Sequence, residues 1–283
     1  AIGIEFATVW SGYRVEVSVV EMLPHILPNE DEEAAAELAK ALKKRGVRTY
    51  AGTKVKGVER SETGTKVLIE SEKGEETLEA DVTLVAVGFK PNSGGIGLEE
   101  AGVEMDKRGF VVVDEQMRTN VPGVWAIGDL TGKLLLAHTA SAMGIICAEN
   151  IAGKQPRQLD YRMIPRAVYS SPQVASFGYT EAQAKEAGFA VKVGKFNFQA
   201  NGKALGLGEY QGWVKVITDE KYGEILGATI VGPEASELLP ELVLAQANEL
   251  TVEEIARSVH AHPTLSEALM EAAESALGSA IHG

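Results

Sequence analysis

Cysteine is all but missing from this chain: Cys147 is the only one among 283 residues. No disulfide can close within it, which fits a reducing compartment and leads us to expect a cytoplasmic protein. The apolar neighbours Ile145, Ile146 and Ala148 predict a buried, inert thiol. Long apolar runs are lacking too, and none approaches the roughly 18–20 residues of a membrane-spanning helix. Basic charge is scarce: 27 Lys and Arg stand against 40 Asp and Glu, a net charge of −13. That balance argues against nucleic acid, whose binding needs clustered cations to replace counterions. Repeats and low-complexity tracts are absent, no metal site is expected, and the chain begins without Met in the middle of a motif.

What is there falls into three stretches, with boundaries expected at 1–89, 90–158 and 159–283. Residues Ala1–Trp10 read as a helix, followed after Gly12 by the strand-like Val15–Glu21. A helix, a short turn and a strand ending in an acid form the second half of a dinucleotide-binding βαβ unit. Glu21 lies close to the spacing of about 20 residues from the glycine motif at which a carboxylate meets ribose hydroxyls, and such a charge favours NAD over NADP. A single glycine, Gly3, stands where the third glycine of the phosphate-binding loop belongs. The first strand and the first two glycines would lie before residue 1. Asp31–Gly46 reads as a helix with acids at its start and bases at its end, and the short segments from Val47 to Ala80 as a strand and an antiparallel meander. Asp81–Gly88 then reads as a buried strand ending beneath a ligand.

In the second stretch, an apolar strand from Val121 ends in Gly128-Asp129, a backbone free of side-chain obstruction beside a carboxylate acceptor that suits a chain of hydroxyls. A turn explains Gly-Asp equally well. The helix from His138 to Ala152 follows, and its first amides suit an electron-rich ligand atom. The third stretch reads as strands over 192–197, 213–218 and 224–231, then helices over 236–248, 251–257 and 264–277, an α+β arrangement.

Near the C-terminus, His260-Ala261-His262-Pro263-Thr264-Leu265-Ser266-Glu267 sets an imidazole and a carboxylate five positions apart at the mouth of a helix. Histidine titrates nearest neutrality, and a carboxylate on one ring nitrogen fixes its tautomer, the composition of a general base. The competing reading is a capping box, Thr264-x-x-Glu267.

Ala86–Asn92, the Val121–Asp129 segment, Leu136-Ala137-His138 and His260–Glu267, in this order, resemble the pyridine nucleotide-disulphide oxidoreductases across the whole chain. The His-Ala-His-Pro string is similar to that of members that oxidise dihydrolipoyl groups. The resemblance implies an α/β, Rossmann-like NAD-binding segment, a central FAD-contacting segment and an α+β interface, or dimerisation, domain. It implies that Ile2, Gly3, Ile4, Glu5, Glu21, Val55 and Gly88 line the NAD site, and that Asp129, Leu135, Leu136, Ala137 and His138 approach FAD. His262 would be the acid/base catalyst, Glu267 its orienting partner and His260 an auxiliary. Expected partners are a second copy, giving a homodimer through the last segment, and the lipoyl domains of a 2-oxo acid dehydrogenase or related complex. One cysteine cannot make the family's disulfide, so the chain alone is expected to be an inactive C-terminal portion lacking the FAD domain. Two alternatives stay open: a related flavoprotein disulphide reductase or transhydrogenase, and a non-catalytic dimerisation or binding module.

Overall fold

α1 (Ile2–Gly12) opens the computed structural model, which describes residues 1–155 and 158–282. It buries Ile4 and Ala7 and leads into β1 (Ser18–Val20), shorter than the patterning suggests. α2 (Glu32–Lys44) begins where the Asp31 carboxylate accepts the Glu33 amide at 2.9 Å. Glu32 and Glu33 sit in its first turn and Lys43 and Lys44 in its last, each opposing the helix dipole. Ala34, Leu38, Ala41 and Leu42 recur at helical spacing and form the buried stripe. Leu38 and Leu42 are wholly covered, each contributing about 1.5–3 kcal/mol by burial. β2 (Arg48–Tyr50) then pairs parallel to β1, with Ser18 opposite Arg48, which completes a βαβ crossover. β3 (Lys54–Arg60), β4 (Thr65–Ser71) and β5 (Gly74–Ala80) form the expected antiparallel meander.

The expected buried strand at Asp81–Gly88 is not there. The segment has no strand pairing, and Val82 and Val85 are 75% and 69% exposed. Apolar runs of this kind become buried strands only between neighbours that take up their amides and carbonyls. Among the described residues β1 pairs with β2 alone, and no strand pairs with the run.

The contacts gather the described chain into two units, one of Ala1–Ala86 with the residues from Pro165 onward, the other Val87–Ile164. In the second unit, the strand expected to end at Gly128-Asp129 is also corrected. Pro122 and Gly123 sit in a turn, Trp125 makes a single bridge to Arg118, and Gly128–Thr131 is a 3-10 turn. Between a turn on one side and a 3-10 turn on the other, too few residues remain for a ladder. α3 (Ala137–Ile151) follows as expected. Cys147 packs half-buried beside Met117, Met143 and Ile146, and burial pushes its thiol up, disfavouring the reactive thiolate.

The rest of the first unit is built on a five-stranded antiparallel sheet in the order β6-β7-β10-β9-β8. β6 (Arg166–Val168), β7 (Gln173–Gly178), α4 (Glu181–Glu186) and α5 (Gly202–Leu207) went unread in the sequence. β8 (Val191–Asn197), β9 (Trp213–Asp219), β10 (Ile225–Gly232), α6 (Ala235–Ala247) and α7 (Val252–Arg257) lie within a residue or so of their expected places. α8 (Glu267–Leu277) starts three residues later than expected.

Strand alternation places α8 and α2 on opposite faces of this sheet. Gly194 of β8 lies under α8, whereas its neighbour Lys195 pairs with Glu33 of α2. A Cβ on Gly194 would stand 1.9 Å from the Ala272 carbonyl oxygen and 2.5 Å from the Ala276 amide, both backbone atoms. Gly194→Ala is therefore expected to push α8 off the sheet at a cost of at least about 1–3 kcal/mol. Urea unfolding of the two proteins checks this, and equal midpoints would refute it.

Candidate active site

α8 is held on the sheet by Ala268, Leu269, Ala272 and Ala273, all fully buried, so its first residue, Glu267, has a fixed base. The loop from Ser258 to Ser266 joins α7 to α8 and carries His262. The His262 Nδ1–H donates to Glu267 Oε1 at 2.8 Å, and the Thr264 amide donates to Glu267 Oε2 at 2.8 Å. One carboxylate thus orients the imidazole and fastens the loop. The reciprocal half of a capping box is missing, because the Thr264 hydroxyl donates to the Ala261 carbonyl at 2.7 Å and the helix starts at Glu267 itself.

Nδ1 being the donor, Nε2 is left with a lone pair on a ring whose side chain is 76% exposed, while that of Glu267 is 19% exposed. Burial works to raise the Glu267 carboxyl. The Thr264 amide, the His262 ring and the positive charge of His262 and His260 outweigh it and hold the group below its ordinary range. An oriented imidazole with one free nitrogen and an ionised partner can accept a proton and return it.

Two residues that secure this loop escaped the sequence reading. The buried Asn201, which caps α5 by accepting the Ala204 amide at 2.9 Å, donates to the Thr264 carbonyl at 3.0 Å. Glu241 of α6 meets His260 Nε2 at 2.9 Å. Neither is near the His-Pro string in sequence, and no local pattern points to either.

The residues expected around NAD are only partly gathered. Ile2, Gly3, Ile4 and Glu5 form the first turn of α1, and a Cβ on Gly3 would meet the Ala86 methyl at 3.6 Å, ordinary contact. Ile4 is 2% exposed, turned into the core, and Glu5 accepts the Tyr169 amide at 2.9 Å. Glu21 follows β1 and accepts the Leu23 amide through Oε1 at 2.8 Å, which leaves Oε2. Val55 is exposed on β3. Gly88, at φ +140°, belongs to the other unit.

That unit also holds the residues expected around FAD. Asp129 and Leu135 line one cavity of about 390 Å³ together with Phe89, Lys90, Pro91, Asn92, Phe110 and Leu130. Leu136 precedes α3 without a side-chain cap, and Ala137 and His138 are its first residues. The buried Thr139 hydroxyl has no hydrogen-bond partner among the described residues. An exposed carboxylate for hydroxyls beside an apolar wall suits a flavin nucleotide.

A profile described as pyridine nucleotide-disulphide oxidoreductase matches residues 1–144, and one for the dimerisation domain of that group matches residues 164–273. The chain belongs to the pyridine nucleotide-disulphide oxidoreductase family. It is 50% identical to the dihydrolipoyl dehydrogenase of Corynebacterium glutamicum and 45% identical to that of Bacillus subtilis. All of this chain aligns with 61% of the first, and 99% of it with 60% of the second. The crystal structure of LpdA from Mycobacterium tuberculosis superposes with a TM-score of 0.89 at 30% identity, over 96% of this chain and 59% of that one. The flavoprotein disulfide reductase RclA of Escherichia coli does so at 0.87 and 28% identity, over 95% and 61%. The chain thus spans about three fifths of the length of these relatives. FAD and NAD(H) are the cofactors of the family.

Proposed function

We propose that this chain supplies the acid–base group, the NAD-binding half and the subunit interface of a dihydrolipoyl dehydrogenase. The observation that carries the reading is the His262–Glu267 pair at 2.8 Å, its imidazole presented to solvent. A dihydrolipoyl thiol attacks a disulfide only as thiolate, so a base must first take its proton. His262 Nε2 accepts that proton, and the ionised Glu267 carboxylate on Nδ1 stabilises the resulting imidazolium. The disulfide under attack needs cysteines beyond Cys147, so it comes from residues outside these 283. When bound, FAD and NAD carry the electron pair away from the dithiol. In this reading Asp129 and the start of α3 hold the flavin nucleotide, and Ile2–Glu5, Glu21 and Val55 hold NAD. The carboxylate of Glu21 disfavours a 2′-phosphate.

The matched dimerisation profile over 164–273 supports a homodimer, and the lipoyl domains of a 2-oxo acid dehydrogenase or related complex are the proposed substrate carriers. A cytoplasmic location completes the reading and is supported by the single thiol. Among the described residues, no helix is long and apolar enough to cross a membrane. A steady-state comparison tests the assignment on the holoenzyme that contains this chain. Dihydrolipoamide with NAD should turn over at least about a hundredfold faster than glutathione disulfide with NADPH, given the discrimination a polar site achieves. The reverse preference would select a glutathione-type reductase.

A further inference from the structure

α8 is capped by Gly278, whose left-handed backbone, φ +75°, turns the chain back along the helix. The Gly278 amide donates to the Ser275 carbonyl at 3.1 Å and the Ser279 amide to the Glu274 carbonyl at 2.9 Å, which closes the turn. The chain then doubles back as far as Glu271, where the His282 Nδ1–H donates to Oε1 at 2.6 Å. The lengths match: the helix rises about 10 Å from Glu271 to Gly278, and the chain from Gly278 to His282 reaches at most about 14 Å when extended. Surface residues that trail a helix fray unless something ties them down. Here the tie is a carboxylate only 5% exposed, with little water to support its charge. Its second oxygen, like Glu274 Oε2, is buried with no hydrogen-bond partner among the described residues. Glu267, Glu271 and Glu274 recur at helical spacing, so the ring of His282 meets a row of acids that begins with the partner of His262. The hydrogen bond to Glu271, then the charges of that row, push the His282 pKa up, as a charge-assisted bond does.

We propose that residues 279–282 form a strap, latched through His282 to Glu271, that clamps α8 on its acidic side and so holds Glu267, one turn before the latch, where it orients His262. His282 and Glu271 are positioning residues in this account, which rests on His262 being the base. The packing of α8 explains why a clamp is needed. Ala272 and Ala276 stand over Gly194, and Ala268 and Ala273 are buried beside them. Methyl groups on a glycine let the helix come close to the sheet, but they raise only low ridges and give little grip against turning about the helix axis. The acidic row lies on the side turned away from Ala272 and Ala276, where a tether has the most leverage on that rotation. A rotation there would swing Glu267 away from His262 Nδ1.

Hydrogen exchange and steady-state turnover of the holoenzyme containing this chain test the strap together. The His282 side chain is 68% exposed, so His282→Ala removes the latch without opening a core. The Gly278 and Ser279 amides should then exchange at least about tenfold faster, with protection in β9 unchanged. Dihydrolipoamide-dependent NAD reduction should fall about tenfold, since a small misplacement of a catalytic group is costly. Oxidation of NADH by a dye, which moves no thiol proton, should hold its rate. His282→Asn, whose amide nitrogen falls near the place of Nδ1, should restore the protection and most of the turnover. Unchanged exchange in His282→Ala would overturn the strap. Faster exchange with full dihydrolipoamide turnover, equal loss of both activities, or an asparagine variant no better than alanine would overturn the positioning role. If the unsubstituted holoenzyme leaves dihydrolipoamide untouched, the functional reading fails by itself, and exchange still decides whether the strap is latched.

Discussion

His262→Gln is expected to lower dihydrolipoamide-dependent NAD reduction by about 10²–10⁴-fold in the holoenzyme, the span that one positioned acid/base supplies. Glutamine keeps the size and a donor but cannot take up a proton. The loss should fall on the thiol half of the cycle, so oxidation of NADH by a dye, which moves no thiol proton, should stay near its starting rate. Equal loss of both would mean that the substitution had disturbed the fold or the flavin, and retention of both would leave the dimerisation-module reading standing. Glu267→Gln is expected to cost less, because an amide can still orient Nδ1 while it no longer stabilises the imidazolium. It also leaves a mark on stability. The folded-state Glu267 carboxyl lies below its usual 4.5, so its contribution is full above that value and is lost as pH falls through the lowered one. Melting temperatures from pH 7 to pH 3 should therefore fall less steeply for Glu267→Gln.

The parts of this molecule that were legible in the sequence are those specified by neighbouring residues. α2 carries its own cap at Asp31, its own charge asymmetry and its own apolar stripe, and it forms where expected. The β3–β5 meander is punctuated by glycines and pairs in the expected order. The His262–Glu267 pair was legible because the two groups stand only five positions apart in the chain. Asp81–Gly88 misled, since its apolar composition is that of a buried strand but burial depends on a neighbour that sequence pattern does not reveal. β6 and β7 were passed over: β6 has three residues, and Pro165 and Pro172 interrupt the region. Glu241 and Asn201 act on the active-site loop from 19 and 63 residues away in the chain, through side-chain contacts that only the packing of α6 and α5 creates.

The same limit applies to the groups that fasten α2 to the sheet, and there the expected effect on stability is largest. Lys215, 2% exposed on β9, points its ammonium at both Asp31 carboxylate oxygens, at 3.1 and 2.9 Å, and at Glu33 Oε1 at 3.0 Å. Lys195 joins Glu33, and both lysines lie over the Trp213 ring at 4.4 and 4.9 Å. Asp31 is itself 5% exposed. Lys215→Ala therefore strands a carboxylate in the interior, a change that costs about 3–5 kcal/mol and should lower Tm by roughly 6–20 °C. Asp31→Asn separates the two duties of that residue, since asparagine still caps α2 but carries no charge. If the charge pair is what matters, Lys215→Met should cost much less in the Asp31→Asn background than alone, because no carboxylate is then left unpaired. Equal costs in the two backgrounds would show instead that Lys215 acts through its packed stem against Trp213. Acid should act on the same joint. The Lys195 bond, and with it Lys215, lowers the Glu33 carboxyl against the opposing effect of burial, so that contribution is full above pH 4.5 and fades as pH drops through the lowered value. Loosening between α2 and β9 should accordingly precede loss of the sheet on acidification, and hydrogen exchange resolved by residue would see Leu38 and Leu42 lose protection before Val214 and Val216.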